Sequence, residues 1–295
     1  MASTSQEVAM AIDSEAATYI KPRTMHMDKE VLNLLIELAV DFGSLEINGC
    51  DIRPFLKYQH LNNYFEMLNG PSYTKLVKYL WVRAEVYDQE AAHREEYEKI
   101  LQNRSLEGNT REQIGLTKFT SVEIRSVVMG VKVTITEAMI SKITGCRDNG
   151  MFFTDTNKTI KTSEWGPKIH KALFEGRQTE KCVHLRKEHM IHQKLIIMCF
   201  MPWEGGTNYM SWDHKYFLCF LVKQFPINLP ACIFDYMCNS IREGIKGKKT
   251  LPYTRLLSEI IHQKLEDLGI ASDKDLGTCT GNVTNGTMHG HKRII

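Results

Sequence analysis

The sequence is poor in the features that would place it at once in a specialised class of protein. Its 295 residues include only eight Pro, and no Pro- or Gly-rich stretch is long enough to separate domains. With 43% apolar and 24% charged residues, collagen-like, coiled-coil and wholly disordered chains are excluded. The net charge is only +2, so the whole chain is not a polycation that would coat nucleic acid. Any basic surface must therefore be local.

The sequence pattern also predicts no secretory signal and no membrane-spanning helix. Three acidic residues interrupt the first 22 residues, which therefore do not form the apolar core of a secretory signal. The most apolar window, residues 31–40, contains Asn33 and Glu37 and is about half the length of roughly 20 residues that a spanning helix needs. The sequence predicts an intracellular protein, cytoplasmic or nuclear, without a membrane partner.

The eight Cys are scattered and include no C-x-x-C pair. Several lie inside apolar runs such as LIIMCF and YFLCFL. In an intracellular protein this pattern predicts reduced, buried thiols that pack as small apolar residues.

Composition along the chain predicts one central domain with two disordered ends. Residues 1–24 and 271–295 are polar or rich in small residues and are predicted to be disordered. Residues 25–270 are predicted to form a mainly α-helical α+β domain, a multi-helix domain with a small antiparallel β-hairpin or sheet. Within it, we interpret residues 89–112 as an acidic insertion, forming an exposed helix or excursion, and residues 146–185 as an irregular basic spacer.

Apolar spacing predicts most of the helices. The first is predicted over residues 31–43, with Asp28 as its cap and Gly43 at its end. A second covers residues 58–68, and a third begins at Tyr73 and leads into an extended segment. Four more helices are predicted near the C-terminal half, over residues 186–200, 212–225, 229–241 and 251–270.

The clearest β signal is the stretch VEIRSVVMGVKVTIT, in which β-branched residues surround Met129 and Gly130. This pattern predicts a β-hairpin with its turn at those two residues. A short helix is predicted to follow, capped by Thr136 and ended by Gly145.

One region of the chain carries a surplus of positive charge. Residues 158–194 contain nine Lys and Arg but only four Glu. Trp165 lies among these lysines, and exposed aromatic rings can stack on nucleic-acid bases. A second basic stretch, GIKGKKT, is predicted to be a solvated turn that could touch phosphates non-specifically, since its glycines do not have the spacing of a phosphate-binding loop. The predicted nucleic-acid contacts are Lys158, Lys161, Trp165, Lys168, Lys171, Arg177, Lys181, Arg186, Lys187, Lys246, Lys248 and Lys249.

Two groups of residues invite a catalytic or metal-binding interpretation. Cys182, His184, His189 and His192 could bind zinc, but their spacing misses the known helical zinc motifs, so a polar helix face is the favoured interpretation. Metal-dependent nuclease chemistry needs several convergent carboxylates. No triad can be assembled from the candidates, which are Asp148, Asp155, Asp213, Asp235 and Glu259. The sequence predicts no catalytic, cofactor-binding or metal-binding residue.

Four blocks in a fixed order carry a family resemblance. They are NYFEMLNGPSYTKLVKYLWVRAEVYD, VVMGVKVTITEAMISKITG, MPWEGGTNYMSWDHKYFLCFLVKQFPINLPACIFDYM and LPYTRLLSEII. Over about residues 55–270, the chain resembles the plant transposon protein domain family, some of whose members are labelled retrotransposon envelope-like proteins. The resemblance implies an origin in a plant transposable element, and the family offers no established catalytic residues to carry over.

These observations lead to one functional prediction and two alternatives. The prediction is a non-enzymatic, element-derived accessory protein that assembles with itself or binds nucleic acid weakly. The first alternative is a metal-dependent nuclease or transposase. The second is a degenerate remnant of the element without activity.

Overall fold

The computed structural model of the chain describes residues 24–25, 28–152, 158–175, 181–202 and 208–269, with backbone alone for residues 158–163. Within these ranges the chain forms eleven α-helices and two small sheets. The predicted mainly α-helical α+β class is thus confirmed. Apart from Thr24, the predicted disordered ends, residues 1–24 and 271–295, lie outside the described residues.

The helices range in length from six to 17 residues. The first six are α1 (Phe42–Ile47), α2 (Arg53–Tyr58), α3 (Asn62–Met67), α4 (Thr74–Arg83), α5 (Gln89–Gln102) and α6 (Glu137–Thr144). The other five are α7 (Lys158–Leu173), α8 (Met190–Leu195), α9 (Trp212–Lys223), α10 (Leu229–Ile245) and α11 (Thr254–Asp267). A π-helical turn, Ile196–Phe200, continues α8, and 3₁₀ turns lie at Lys29–Val31, Arg104–Leu106, Cys182–His184 and Lys187–His189.

The predicted hairpin is present and belongs to a three-stranded antiparallel sheet. Its strands β3 (Glu123–Val128) and β4 (Val131–Ile135) join β2 (Glu85–Tyr87) in the order β2-β3-β4. Both turn residues, Met129 and Gly130, have positive φ angles of 50° and 79°, as a tight two-residue turn requires. These local predictions are confirmed.

The prediction of a helix over residues 31–43 is wrong. Here the chain runs extended, as β1 (Asn33–Leu34), which pairs in parallel with β5 (Thr250–Leu251). Gly43 lies inside α1 and does not end a helix. A short apolar run fits a helix or a buried extended segment equally well by spacing alone. The partner that decides between them lies more than 200 residues further along the chain.

The prediction of an irregular spacer over residues 146–185 is wrong in part, because α7 occupies residues 158–173. The acidic stretch contains α5, one of the two forms predicted for it. Arg111 holds this stretch against its helix, donating to the Glu95 carboxylate and the Tyr87 hydroxyl, both at 2.8 Å, and to the Ala92 carbonyl at 2.5 Å. Arg111 therefore folds the acidic stretch back on α5 and joins it to Tyr87 of the sheet, while α5 itself buries Ala92 alone.

The core is one cluster of buried side chains to which both halves of the chain contribute. Phe200 lies near its centre, with its ring 5.5 Å from Tyr64 and 5.3 Å from Phe217. The π-helical turn leaves carbonyl groups without helical partners, and tyrosine hydroxyls satisfy two of them. Tyr64 donates to the Cys199 carbonyl at 2.6 Å, and Tyr253 donates to the Phe200 carbonyl at 2.8 Å. The predicted central position of α9 is confirmed, since its residues 214–221 are all buried.

Candidate nucleic-acid interface

The basic region is built where the end of α7 meets the segment that follows residue 180. The N–H group of Arg186 donates to the Leu173 carbonyl at 3.0 Å, and that of Glu175 donates to the His184 carbonyl at 2.9 Å. Leu173, Phe174 and Leu185 are buried beneath these bonds. Because the apolar side chains anchor the segments, their charged neighbours are left on the outside.

A third segment is attached to the same place by its backbone. Lys181 and Tyr209 form an antiparallel bridge, and the Cys182 N–H group donates to the Asn208 carbonyl at 2.8 Å. Parts of the chain that are distant in sequence thus form a single surface. We define the basic surface as Lys168, Lys171, Lys181, Arg186, Lys187 and Lys223.

Lys223 belongs to this surface although sequence reasoning missed it. It is exposed at the end of α9, outside the basic stretch of the sequence. Burial lowers the pKa of His189, and the positive charges of Arg186 and Lys223 lower it further, against the opposing effect of Glu188. His189 therefore lies between cations that come from two different elements. Lys223 can be assigned to this surface only from proximity between segments that are distant in sequence, because its local sequence has no distinguishing pattern.

Positive charge exceeds negative charge on this surface. The described carboxylates of the same segments are Glu164, Glu175, Glu188 and, at the opposite end of α9 from Lys223, Asp213, which makes four against six cations. Lys168 lies 3.8 Å from Glu164, but both side chains are 62% exposed, and such pairs are worth at most about 1 kcal/mol. Among the described residues, no carboxylate lies within 4.0 Å of the ammonium groups of Lys171 and Lys187, which are exposed. The surface therefore presents a local excess of cations to solvent.

Trp165 faces the interior more than sequence reasoning suggested. Its ring is half-buried and packs edge-on against Phe220 at 5.5 Å and Phe225 at 6.2 Å. The Lys168 ammonium lies 4.8 Å from the ring centre. Tyr209, by contrast, is 59% exposed beside Lys181. Sequence reasoning missed Tyr209 because one tyrosine in a polar loop has no distinguishing pattern.

The other predicted contacts lie elsewhere or are not fully described. The side chains of Lys158 and Lys161 and the whole of Arg177 lie outside the described residues. Lys246, Lys248 and Lys249 follow α10, which packs on α6, β2 and β5, whereas α7 packs on α9. The predicted solvated turn is confirmed there, with a φ of 104° at Gly247.

Carboxylates neutralise part of the charge at this second basic group. Lys248 lies 2.6 Å from Glu243, and Arg242 lies 3.6 Å from Asp88. The group is therefore less suited to attract phosphates than the basic surface.

Three of the four residues that resembled a zinc site are packed side chains, and the fourth, His184, is exposed. Cys182, His189 and His192 are buried, which corrects the interpretation of a polar helix face. Burial lowers the pKa of His192, whose ring packs edge-on against Phe55 at 4.8 Å. Within the described ranges, no three His, Cys, Asp or Glu side chains are arranged to hold a metal ion.

Two of the candidate carboxylates line one cleft. Asp213 on α9 and Asp235 on α10 line the same cleft, which has a volume of about 380 Å³ and apolar walls that include Phe217 and Phe220. Glu259 is separate, on α11, where it accepts a hydrogen bond from Gln263 at 2.7 Å. Asp155 lies outside the described residues.

Comparison of the chain with protein-family models, with curated proteins and with solved structures finds no significant match. In the part of the chain that the structure describes, no helix has both the length and the apolar character that crossing a membrane requires. What this chain does must therefore be argued from its own residues.

Proposed function

We propose that the chain is a non-enzymatic accessory protein, derived from a plant transposable element, that binds nucleic acid through the basic surface. One observation carries the binding part. The cations of α7, of the segment after residue 180 and of α9 share one anchored surface, and among the described residues no carboxylate lies within 4.0 Å of the ammonium groups of Lys171 and Lys187.

The charge of this surface suits weak binding that is independent of sequence. Six cations can displace counterions from a comparable number of phosphates. Non-specific complexes of this kind have dissociation constants of about 10⁻⁴ to 10⁻⁶ M at physiological salt. If four to six phosphates are engaged, log K falls with log salt with a slope of roughly −3 to −5.

Filter binding of the full chain at about 50 mM and about 200 mM salt tests this proposal. The account expects measurable binding at the lower concentration and a loss of at least about tenfold at the higher one. An absence of binding at low salt, or an affinity insensitive to salt, would contradict it.

The origin of the chain is a separate part of the proposal and is supported by the order of the four sequence blocks. Its test is the identity of the neighbouring reading frames. An adjacent reverse transcriptase or integrase gene would place the chain in a retroelement, whereas host genes on both sides would indicate a domesticated copy or a relic.

A metal-dependent nuclease is a second candidate. The observation that favours it is that Asp213 and Asp235 line the same cleft. Incubation of a labelled oligonucleotide with the chain and Mn²⁺ separates the two candidates. Cleavage that Asp213→Asn or Asp235→Asn abolishes would establish the enzyme, whereas intact oligonucleotide is the result that the accessory function expects.

A further inference from the structure

We propose that the nucleic acid taken by the basic surface is single-stranded and that Tyr209 is the platform on which one of its bases stacks. This inference rests on the proposed function and adds two things to it. The first is the class of nucleic acid, and the second is a residue that does not discriminate between base sequences but needs an unpaired base.

Tyr209 is held in place by its backbone while its side chain stays in solvent. The bridge to Lys181 and the hydrogen bond from Cys182 to Asn208 fix its segment against the buried Cys182. Its ring is nevertheless 59% exposed. A fixed backbone beneath an exposed ring reduces the entropy that is lost when a base packs on that ring.

Positive charge lies beside the ring. Residues directly opposite one another in an antiparallel bridge direct their side chains to the same face, so Lys181 and Tyr209 are neighbours. The chain then passes through one 3₁₀ turn, Cys182–His184, to Arg186 and Lys187. At about 2 Å per residue, that three-residue turn advances the backbone by only about 6 Å, so the next cations follow Lys181 closely along the chain. A strand whose base stacks on Tyr209 can therefore place its neighbouring phosphates on the same surface.

A second exposed tyrosine shows why the surroundings of the ring matter. Tyr97 is 62% exposed, close to the value for Tyr209. It lies on α5, whose four Glu outnumber its two basic residues, Arg94 and Lys99, so the net charge of this helix repels phosphates. The two tyrosines thus present similar aromatic area in opposite electrostatic environments, and Tyr97 is the matched control.

The structure favours a single strand over a duplex because of what the ring requires. Stacking needs the open face of a base, which the interior of a duplex does not offer. Loss of one stacking platform typically costs a single-strand complex about 5- to 150-fold in affinity. Binding to a duplex would depend on the cations alone and would not respond to loss of the ring.

The experiment is fluorescence anisotropy at low salt with labelled 12-residue single-stranded DNA, single-stranded RNA and duplex DNA. It uses the full chain with Tyr209→Ala, Tyr209→Trp and Tyr97→Ala, whose circular dichroism is compared with that of the native chain. We expect the native chain to bind at least one single strand several-fold more tightly than the duplex. Tyr209→Ala should weaken that complex at least about fivefold, Tyr209→Trp should retain it, and Tyr97→Ala should leave it unchanged.

The outcomes separate this inference from the function on which it rests. Equal affinity for single strand and duplex, or equal affinity of Tyr209→Ala and Tyr97→Ala for the single strand, overturns the inference while binding itself stands. A native chain that binds none of the three probes contradicts the proposed function as well. The relative affinities for the DNA and RNA single strands identify which of them the surface prefers.

Discussion

The molecule uses charge in two contrasting ways, in a buried pair at Glu37 and Arg255 and on the exposed basic surface. Glu37 is fully buried, and its carboxylate accepts the N–H groups of Arg255 at 2.8 Å and Leu256 at 3.2 Å. The Arg255 side chain donates back to the Glu37 carbonyl at 2.9 Å and to the Gly70 carbonyl at 2.6 Å. Every charge in this pair is matched by a partner inside the fold.

The basic surface has the opposite character, since its cations face solvent in excess of the nearby carboxylates. Buried charges must be satisfied internally because their desolvation is costly, whereas exposed charges cost little and remain available to a ligand. The comparison indicates that charge at Glu37 determines stability, while charge on the basic surface determines binding. The predictions below separate the two.

The largest effect is expected from Glu37→Ala, which removes the carboxylate that caps α11. Tyr253, the residue before this helix, supplies no side-chain cap of its own. The change leaves two N–H groups and the half-buried Arg255 without their partner, so we expect a loss of about 3 kcal/mol in the free energy of unfolding. Urea unfolding measures it, with the exposed Glu30→Ala as the control. A loss below about 1 kcal/mol would contradict the role given to Glu37.

Next in size is the single change Arg111→Ala, which tests a case between the two extremes. The Arg111 side chain is only 13% exposed and joins Glu95, Tyr87 and the Ala92 carbonyl. Replacing it removes all of these bonds at once, and we expect a loss of about 2 kcal/mol without an effect on nucleic-acid binding. Hydrogen exchange in α5 should increase. Unchanged exchange there would show that Arg111 does not hold the acidic stretch.

A smaller effect on binding is expected from Lys246→Glu combined with Lys249→Glu. These lysines belong to the second basic group, where Asp88 and Glu243 already neutralise neighbouring cations. Anisotropy should show less than about a threefold loss of affinity for a single strand, since few phosphates are bound at this group and few counterions are released there. A loss of tenfold or more would place the interface at the end of α10.

The smallest effect concerns pH. Burial raises the pKa of Glu37 above its ordinary value, despite the hydrogen bonds and the Arg255 charge that oppose this shift. The folded state therefore binds this proton more readily than the unfolded state does, and the native chain should gain stability relative to Glu37→Gln as the pH falls through the raised pKa toward 4.5. Urea unfolding of both proteins across that range tests the sign. A relative loss of stability by the native chain would mean that the pKa is depressed.

Sequence reasoning predicted the local structure correctly where residues close in sequence determine it, as at the helix caps and the hairpin turn. Thr136 accepts the Met139 N–H group and Ser211 accepts that of His214, as their positions before helices predict. It was insufficient wherever distant segments meet. The extended course of residues 31–40 depends on β5 and on the start of α11, and the basic surface includes Lys223 and Tyr209 through contacts across the fold. Glu37 looked like an interruption in an apolar run, and only its partner Arg255 explains why a carboxylate is buried there.

The most direct test of the central claim compares three proteins by their affinity for a single strand at low salt. They are the native chain and two doubly substituted chains that have the same change in net charge. One carries Lys171→Glu and Lys187→Glu on the basic surface, and the other carries Lys118→Glu and Lys142→Glu at exposed positions outside it. We expect the first chain to lose at least about tenfold in affinity. The slope of its log K against log salt should become shallower by the amount that about two phosphate contacts contribute, while the second chain changes little. Equal losses in the two chains, or none in either, would show that binding follows net charge alone or does not occur at the basic surface.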